Sequence, residues 1–186
     1  MIRLYSPRKT EAILKRLSPL IDRIAEEYRI PGDCVRAMLY RETKEIDLFD
    51  VAADKAVLFG LFGRDDASTG YAQIFSRVAI RALGFAEERG IERAARFGFD
   101  HAPSDRDPGD VRAVWLRLYR DTEFNVRMGT LNLLAAADEV VGSFDYAAMS
   151  PEEMKRAFSR YNANTRSVTS YGEEVYGYYL GFQNDR

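Results

Sequence analysis

The chain has 186 residues, 46% hydrophobic and 30% charged, which is enough for one domain with a sizeable core. Its 27 basic and 29 acidic residues give a formal net charge of -2, which argues against a nucleic-acid binder that works by bulk electrostatics. One cysteine, Cys34, and one histidine, His101, exclude an internal disulfide and a Cys/His zinc cluster. We expect Cys34 to pack as a small apolar side chain and His101 to lie in a surface loop.

The first residues, Met-Ile-Arg-Leu-Tyr-Ser-Pro-Arg-Lys, lack the apolar core of about 7–15 residues that a secretory signal needs. No run of about 20 apolar residues occurs in the sequence, so we expect no membrane span. The sequence therefore predicts a protein that is made without a visible signal peptide and is cytoplasmic as encoded, unless a signal has been removed from it.

Apolar residues at helical spacing dominate the sequence and predict a mainly α fold, with a single domain over residues 1–186. One such apolar face lies near the start of the chain and consists of Ile13, Leu14, Leu17, Ile21, Ile24, Ala25 and Tyr28. Ser18 and Pro19 fall within it as a potential N-cap and first-turn pair, which predicts two short helices or a kink. A second helix is expected to begin at Pro31.

Glu42 is the most unusual residue of this second helix. It lies seven positions after Val35, four after Met38 and four before Ile46, so a carboxylate falls within the apolar stripe. Burial there would raise its pKa, and a carboxylic acid that stays protonated near neutral pH can act as a general acid on a glycosidic oxygen. The alternative is that Glu42 lies at the edge of the stripe and pairs with an arginine or reaches water.

Further helices are indicated later in the chain. Helical spacing covers residues 73–88 and about 122–141. Ser150-Pro-Glu-Glu153 combines an N-cap serine, a first-turn proline and a glutamate at the third helical position, which predicts a helix start. The last helix is expected to begin near Ser167. Residues 98–110 are rich in Asp, Pro and Gly, which indicates a loop.

Residues 47–69 show no clear helical pattern. They contain an apolar patch at 57–59, and the acidic residues around it are Asp47, Asp50, Asp54, Asp65 and Asp66. The stretch could hold a small β-hairpin, a short helix or a loop insertion. A long connection of this kind inside a compact domain is usually functional or disordered.

Four short segments carry a pattern when they are taken in chain order. Residues 30–43 read Ile-Pro-Gly-Asp-Cys-Val-Arg-Ala-Met-Leu-Tyr-Arg-Glu-Thr, and residues 67–74 read Ala-Ser-Thr-Gly-Tyr-Ala-Gln-Ile. Residues 123–134 begin Glu-Phe-Asn-Val, and residues 158–164 read Phe-Ser-Arg-Tyr-Asn-Ala-Asn, with a tyrosine and a valine at 171 and 175. In this order the segments resemble the lysozyme-like superfamily, in particular the soluble lytic transglycosylases and goose-type lysozymes.

The resemblance implies a lysozyme-like single domain that cleaves the glycan strand of peptidoglycan between N-acetylmuramic acid and N-acetylglucosamine. Glu42 matches the family's catalytic glutamate, which donates a proton to the glycosidic oxygen. The substrate-binding positions that the resemblance implies are Ser68, Thr69, Gly70, Gln73, Tyr161 and Asn162. It implies glycan strands as the partner, and it implies no metal and no organic cofactor. Such an enzyme would act at the cell wall after delivery or release.

The chain departs from the family pattern at several positions. Thr43 stands where the family has serine, Tyr71 where it has leucine, and Asn164 where it has glycine. Two alternatives to the enzyme therefore remain. One is a lysozyme-like module that holds glycan or a protein without cutting it, and the other is a structural component of a phage particle or secretion machine.

The product of cleavage is also open. A hydrolase with two carboxylates needs a second one, which an aspartate of residues 47–66 could supply. With Glu42 alone, attack by the sugar's own 6-hydroxyl gives an anhydro product, which is the transglycosylase route that the resemblance implies. Aspartates in a loop also suit turns and solubility, so none of the five is assigned.

Overall fold

Helices account for most of the chain in this computed structural model, which describes residues 3–61 and 65–184. The eight α-helices in these ranges are α1 (Pro7–Tyr28), α2 (Gly32–Glu45), α3 (Leu48–Leu58), α4 (Ser76–Glu88), α5 (Pro108–Arg120), α6 (Thr122–Val141), α7 (Pro151–Asn162) and α8 (Ser170–Asn184). The same ranges hold no β-strand beyond two isolated bridges, Arg3 with Asp47 and Thr69 with Ile74. The prediction of a mainly α fold is confirmed.

The chain divides into two compact units. The first unit contains the residues up to Ser6 and Glu45–Asn132, and the second unit contains Pro7–Lys44 and the residues from Leu133 onward. Each unit has its own fully buried side chains, such as Trp115 in the first and Phe158 in the second. The single domain over residues 1–186 stays a prediction.

Helix α1 of the second unit is continuous, with Pro19 inside it, so of the two alternatives the two short helices were wrong and the kink stays a prediction. Leu17 and Ile21 on either side of the proline are both buried, because the apolar face continues through it. This packing outweighs the backbone donor that the proline lacks. Ser18 is not an N-cap, since its hydroxyl donates to the carbonyl oxygen of Leu14 at 3.2 Å.

Helices α7 and α8 of the second unit approach closely at Gly172. A Cβ atom added to Gly172 would lie 2.1 Å from Ser159 Oγ and 2.3 Å from the carbonyl oxygen of Lys155. Ser159 Oγ donates to that carbonyl at 2.8 Å and accepts from the backbone N–H of Thr169 at 2.9 Å. Because only glycine fits this contact, it fixes the position of the first turn of α8.

Helix α3 of the first unit replaces the β-hairpin that was one alternative for residues 47–69, so that alternative was wrong for Leu48–Leu58. Asp47 accepts from the first backbone N–H groups of the helix, and the Asp50 carboxylate accepts from the N–H of Asp47, which completes a capping box. At the other end, Arg112 donates to two carbonyl oxygens of the last turn. These end contacts favour a helix where the apolar pattern is weak.

Several local predictions are confirmed. Ser150 caps α7 and forms a capping box with Glu153, as its position in the sequence indicates. His101 is largely exposed, and its Nε2 lies 2.9 Å from Oδ1 of Asp110. Cys34 is fully buried, and this burial, together with its neighbour Asp33, raises the pKa of the thiol. Among the described residues, no helix has the length and apolar character needed to cross a membrane.

Candidate active site

Glu42 is a buried carboxylate on α2 of the second unit. Its exposed fraction is only 8%, and the apolar side chains of Val35, Met38 and Leu39 on the same helix are fully inaccessible. The helix positions Glu42 because the spacing of seven and four residues returns it to the face that these side chains occupy. The carboxylate therefore belongs to the buried stripe.

Tyr171 on α8 holds this carboxylate through its hydroxyl, which donates to Oε1 of Glu42 at 2.5 Å. Burial first, and the neighbouring Glu42 charge second, raise the pKa of Tyr171 well above its usual value. The phenol therefore stays protonated and remains a donor over the whole physiological range. A buried carboxylate oriented by a neutral donor is a suitable arrangement for a proton-transfer group.

Tyr161, at the end of α7, stands beside this pair. Its ring lies nearly parallel to that of Tyr171, with centroids 6.4 Å apart and an angle of 10° between the planes. Burial and the charge of Glu42 raise the pKa of Tyr161 as well. The structure thus brings Tyr161 to the carboxylate, whereas Asn162 is exposed as the last residue of α7.

Charged and polar residues behind this site link α2 to α8. Arg41 Nε donates to Glu174 at 3.0 Å, and its guanidinium lies over the Tyr171 ring at 5.0 Å from the centroid. Lys44 donates to the hydroxyl of Tyr178 at 2.7 Å, and that hydroxyl donates to Glu174 at 2.6 Å. Although burial opposes it, Tyr178, Arg41 and Lys44 together lower the pKa of Glu174. These contacts support the ring of Tyr171 from one side.

The turn at residues 69–74 belongs to the first unit and is fixed by Asn125 of α6. Asn125 Oδ1 accepts from the backbone N–H of Ala72, and Nδ2 donates to the carbonyl oxygen of Thr69, both at 2.9 Å. Gly70 has a φ of 70°, and a Cβ there would lie 2.3 Å from Asn125 Nδ2. Glycine is needed at this position for its backbone conformation and for the space that Asn125 occupies.

Three other predicted residues complete this turn. Gln73 donates through Nε2 to the carbonyl oxygen of Gly70 at 2.8 Å, and Ser68 donates to Gln73 Oε1 at 3.3 Å. Thr69 is fully buried. The side chain of Gln73 therefore contributes to the shape of the turn itself, and a role in binding sugar stays a prediction.

The five aspartates of residues 47–66 have different roles. Asp47 and Asp50 form the capping box of α3. Asp66 accepts from the first backbone N–H groups of α4, and Asp65 forms an ion pair with Arg77. Asp54 is the member of this set that has neither a cap nor an ion pair among the described contacts.

Asp54 lines a cavity of about 260 Å³ in the first unit. The polar and aromatic residues of its wall include Tyr5, Asp50, Asp54, Thr69, Tyr71, Gln73, Tyr119 and Asn125. Burial, and to a lesser degree the charge of Asp50, raise the pKa of Asp54 to about 6, although the nearby Thr69 hydroxyl lowers it. Asp54 therefore changes its charge close to neutral pH.

The structure groups the predicted residues into two sets. Glu42, Tyr161 and Asn162 belong to the second unit, and the turn from Ser68 to Gln73 belongs to the first. The sequence did not assign a role to Tyr171 or Asn125, although both lie within the segments that carried the resemblance. Among the described residues, no group of three or more His, Cys, Asp or Glu side chains could hold a metal ion.

Comparison with known proteins found no matching family model, no matching curated protein and no matching solved structure.

Proposed function

We propose that this chain is a lysozyme-like enzyme that cleaves the glycan strand of peptidoglycan between N-acetylmuramic acid and N-acetylglucosamine. The observation that carries the proposal is the buried hydrogen bond from the hydroxyl of Tyr171 to the carboxylate of Glu42. The resemblance of four ordered segments to the lytic transglycosylases and goose-type lysozymes supplies the substrate class. The ring of Tyr161 next to this pair supports the same assignment, because aromatic faces suit sugar rings.

In the proposed mechanism Glu42 acts first as an acid and then as a base. Its carboxylic acid donates a proton to the glycosidic oxygen as the bond to the anomeric carbon breaks, which leaves an oxocarbenium-like centre. The resulting carboxylate then accepts the proton of the attacking hydroxyl and returns to its starting state. Tyr171, which remains neutral, keeps Oε1 in place through both steps.

The attacking hydroxyl determines the product. Water gives a reducing end, and the 6-hydroxyl of the muramic acid residue gives an anhydro ring. A single acid and base is sufficient for the second route, because the nucleophile is already part of the substrate. Glu42 alone therefore favours the transglycosylase product.

Digestion of purified peptidoglycan by the Glu42→Gln variant tests the proposal. The variant should release no soluble muropeptides and should keep the helical circular dichroism of the parent. Glu173→Gln is the matched control, because Glu173 is exposed in the same first turn of α8 as Tyr171 and should leave turnover unchanged. Mass spectrometry of the parent's products then separates anhydro ends from reducing ends. Turnover by Glu42→Gln at the parent's rate would show that the assignment is wrong.

A binding module that does not cut its ligand is the second candidate. The small exposed fraction of Glu42, 8%, and Asn164 in place of the family's glycine favour it. It predicts that the parent chain is retained on purified sacculi and that no soluble product appears during prolonged incubation.

A further inference from the structure

Two residues that line the cavity of the first unit each have a buried polar atom without a hydrogen-bond partner among the described residues. These atoms are Oδ1 of Asp54 and Oγ1 of Thr69, and Thr69 is fully buried. The Thr69 hydroxyl is close enough to the Asp54 carboxyl to lower its pKa. Thr69 Oγ1 and Asp54 Oδ1 nevertheless do not form a hydrogen bond of good geometry with each other. Buried polar groups are normally paired, so this arrangement points to a ligand with hydrogen-bond donors.

The charge of the cavity narrows the chemistry of that ligand. Asp50 and Asp54 both line it, and no Lys, Arg or His is found among the described residues of its wall. Two carboxylates without a cation favour a positively charged occupant. A metal ion is a poor candidate, because the described residues provide no third His, Cys, Asp or Glu nearby.

We infer that this cavity binds a primary ammonium group carried by a small polar ligand. Asp54 Oδ1, the Thr69 hydroxyl and the Asp50 carboxylate provide acceptors for its three N–H donors. Aromatic surface, which suits cations and sugar rings, is added by three tyrosines of the wall: Tyr5, Tyr71 and Tyr119. The chemistry fits two sources: a glucosamine residue without its acetyl group, and the side-chain amine of a lysine-like residue.

The titratable groups of the wall make this binding depend on pH. The N-terminal segment contributes Tyr5, α3 contributes Asp50, the turn contributes Tyr71 and α5 contributes Tyr119, while α6 contributes no titratable group. Asp54 on α3 has a pKa of about 6, so its charge changes near neutral pH. An ammonium group binds its ionised form, so affinity should fall as the pH drops from 7 to 5.

Calorimetric titration with glucosamine and with glucose tests the inference, because glucose has a neutral hydroxyl where glucosamine has the ammonium group. At pH 7 the parent should bind glucosamine at least roughly tenfold more tightly than glucose. At pH 5 this preference should fall about tenfold as Asp54 is protonated. N-α-acetyl-lysine is the third probe: if it binds as well as glucosamine, the ammonium alone is recognised, and if it binds less well, the sugar ring contributes too.

Three variants complete the experiment. Asp54→Asn should remove the preference for glucosamine, whereas Asp65→Asn, the matched control outside the cavity wall, should keep it. Thr69→Val should weaken glucosamine binding without lowering the free energy of unfolding, since its hydroxyl makes no hydrogen bond within the described protein.

Equal binding of glucose and glucosamine by the parent, or an unchanged preference in Asp54→Asn, would overturn the inference. These measurements record binding without turnover, so the inference stands apart from the proposed cleavage. A negative result here leaves the Glu42→Gln experiment unaffected, and an inactive parent leaves the ammonium site unaffected.

Discussion

The hydroxyl of Tyr171 donates to the carboxylate of Glu42 although 129 positions of sequence separate the two residues. The bond is buried, so water cannot replace it when it is lost. It also makes the orientation of Glu42 depend on α8, whose first turn is fixed by the close approach of Gly172 to Ser159. Orientation of the acid and packing of two helices are therefore coupled in the second unit.

Tyr171→Phe should lower the rate of glycan cleavage roughly 10- to 100-fold, because Glu42 loses the donor that orients it. It should also lower the free energy of unfolding by about 1–3 kcal/mol, since a buried carboxylate oxygen is left without this bond. Muropeptide release and urea unfolding measure the two effects. Tyr176→Phe on the same helix is the control and should change neither. A Tyr171→Phe protein that cleaves at the parent's rate would contradict the role given to this hydroxyl.

Gly172→Ala should destabilise the protein by about 1–3 kcal/mol, because its Cβ would overlap Ser159 Oγ and the carbonyl of Lys155. Gly177→Ala is the matched control in the same helix, with no atom within 4 Å of its new Cβ. It should stabilise the protein by about 0.5–1 kcal/mol through its higher helix propensity. Urea unfolding of both variants measures the difference. A Gly172→Ala protein with an unchanged or higher free energy of unfolding would show that α7 and α8 do not require glycine at this contact.

Gly70→Ala should destabilise the first unit more than Gly60→Ala does. Both glycines have positive φ, 70° and 64°, so both substitutions carry a backbone penalty of about 1 kcal/mol. The Cβ at position 70 would also overlap Asn125, whereas position 60 has open space. We expect an additional loss of roughly 1–3 kcal/mol for Gly70→Ala in thermal or urea unfolding. If both variants lost the same free energy of unfolding, Asn125 would be able to move away from the new Cβ without an energetic cost.

Asp54→Asn should stabilise the protein at pH 7 and not at pH 4. The pKa of Asp54 is raised from 3.8 to about 6, so between these values the folded state binds more protons than the unfolded state. Stability from this group is therefore lost as the pH rises through that window. After allowance for solvent screening, we expect Asp54→Asn to be about 1–2 kcal/mol more stable than the parent at pH 7. Urea unfolding at both pH values tests this, and a gain that is the same at pH 4 would contradict it.

Features that depend on a few neighbouring residues could be predicted from the sequence. The spacing of Glu42 to Val35 and Met38 placed it in the apolar stripe but left a position at the edge of the stripe open, and the structure shows that Glu42 is buried. The start of α7 followed from Ser150 and Glu153. The bounds of α6 followed from its apolar period. In each case the determining contacts lie within one or two helical turns, where spacing alone indicates which side chains meet.

Features that depend on distant partners could not be predicted in this way. The role of Asn125 rests on a turn more than 50 positions earlier, and that of Tyr171 rests on α2. Pro19 suggested a break in α1 because proline usually interrupts a helix. The helix continues through it because the apolar residues on both sides are buried on one face. In the sequence nothing separates Asp54 from the other aspartates of residues 47–66. Only its burial in the folded chain, which raises its pKa, distinguishes it.

The dependence of the 69–74 turn on Asn125 has a consequence for the order of folding events. The backbone N–H of Ala72 and the side chain of Asn125 are 53 positions apart, so the loop between them must close before either hydrogen bond forms. Helix α6 can form early because its contacts are local, whereas the turn acquires its native shape only when α6 docks. During synthesis, the residues of α6 must therefore leave the ribosome before the turn at Gly70 can reach its native conformation.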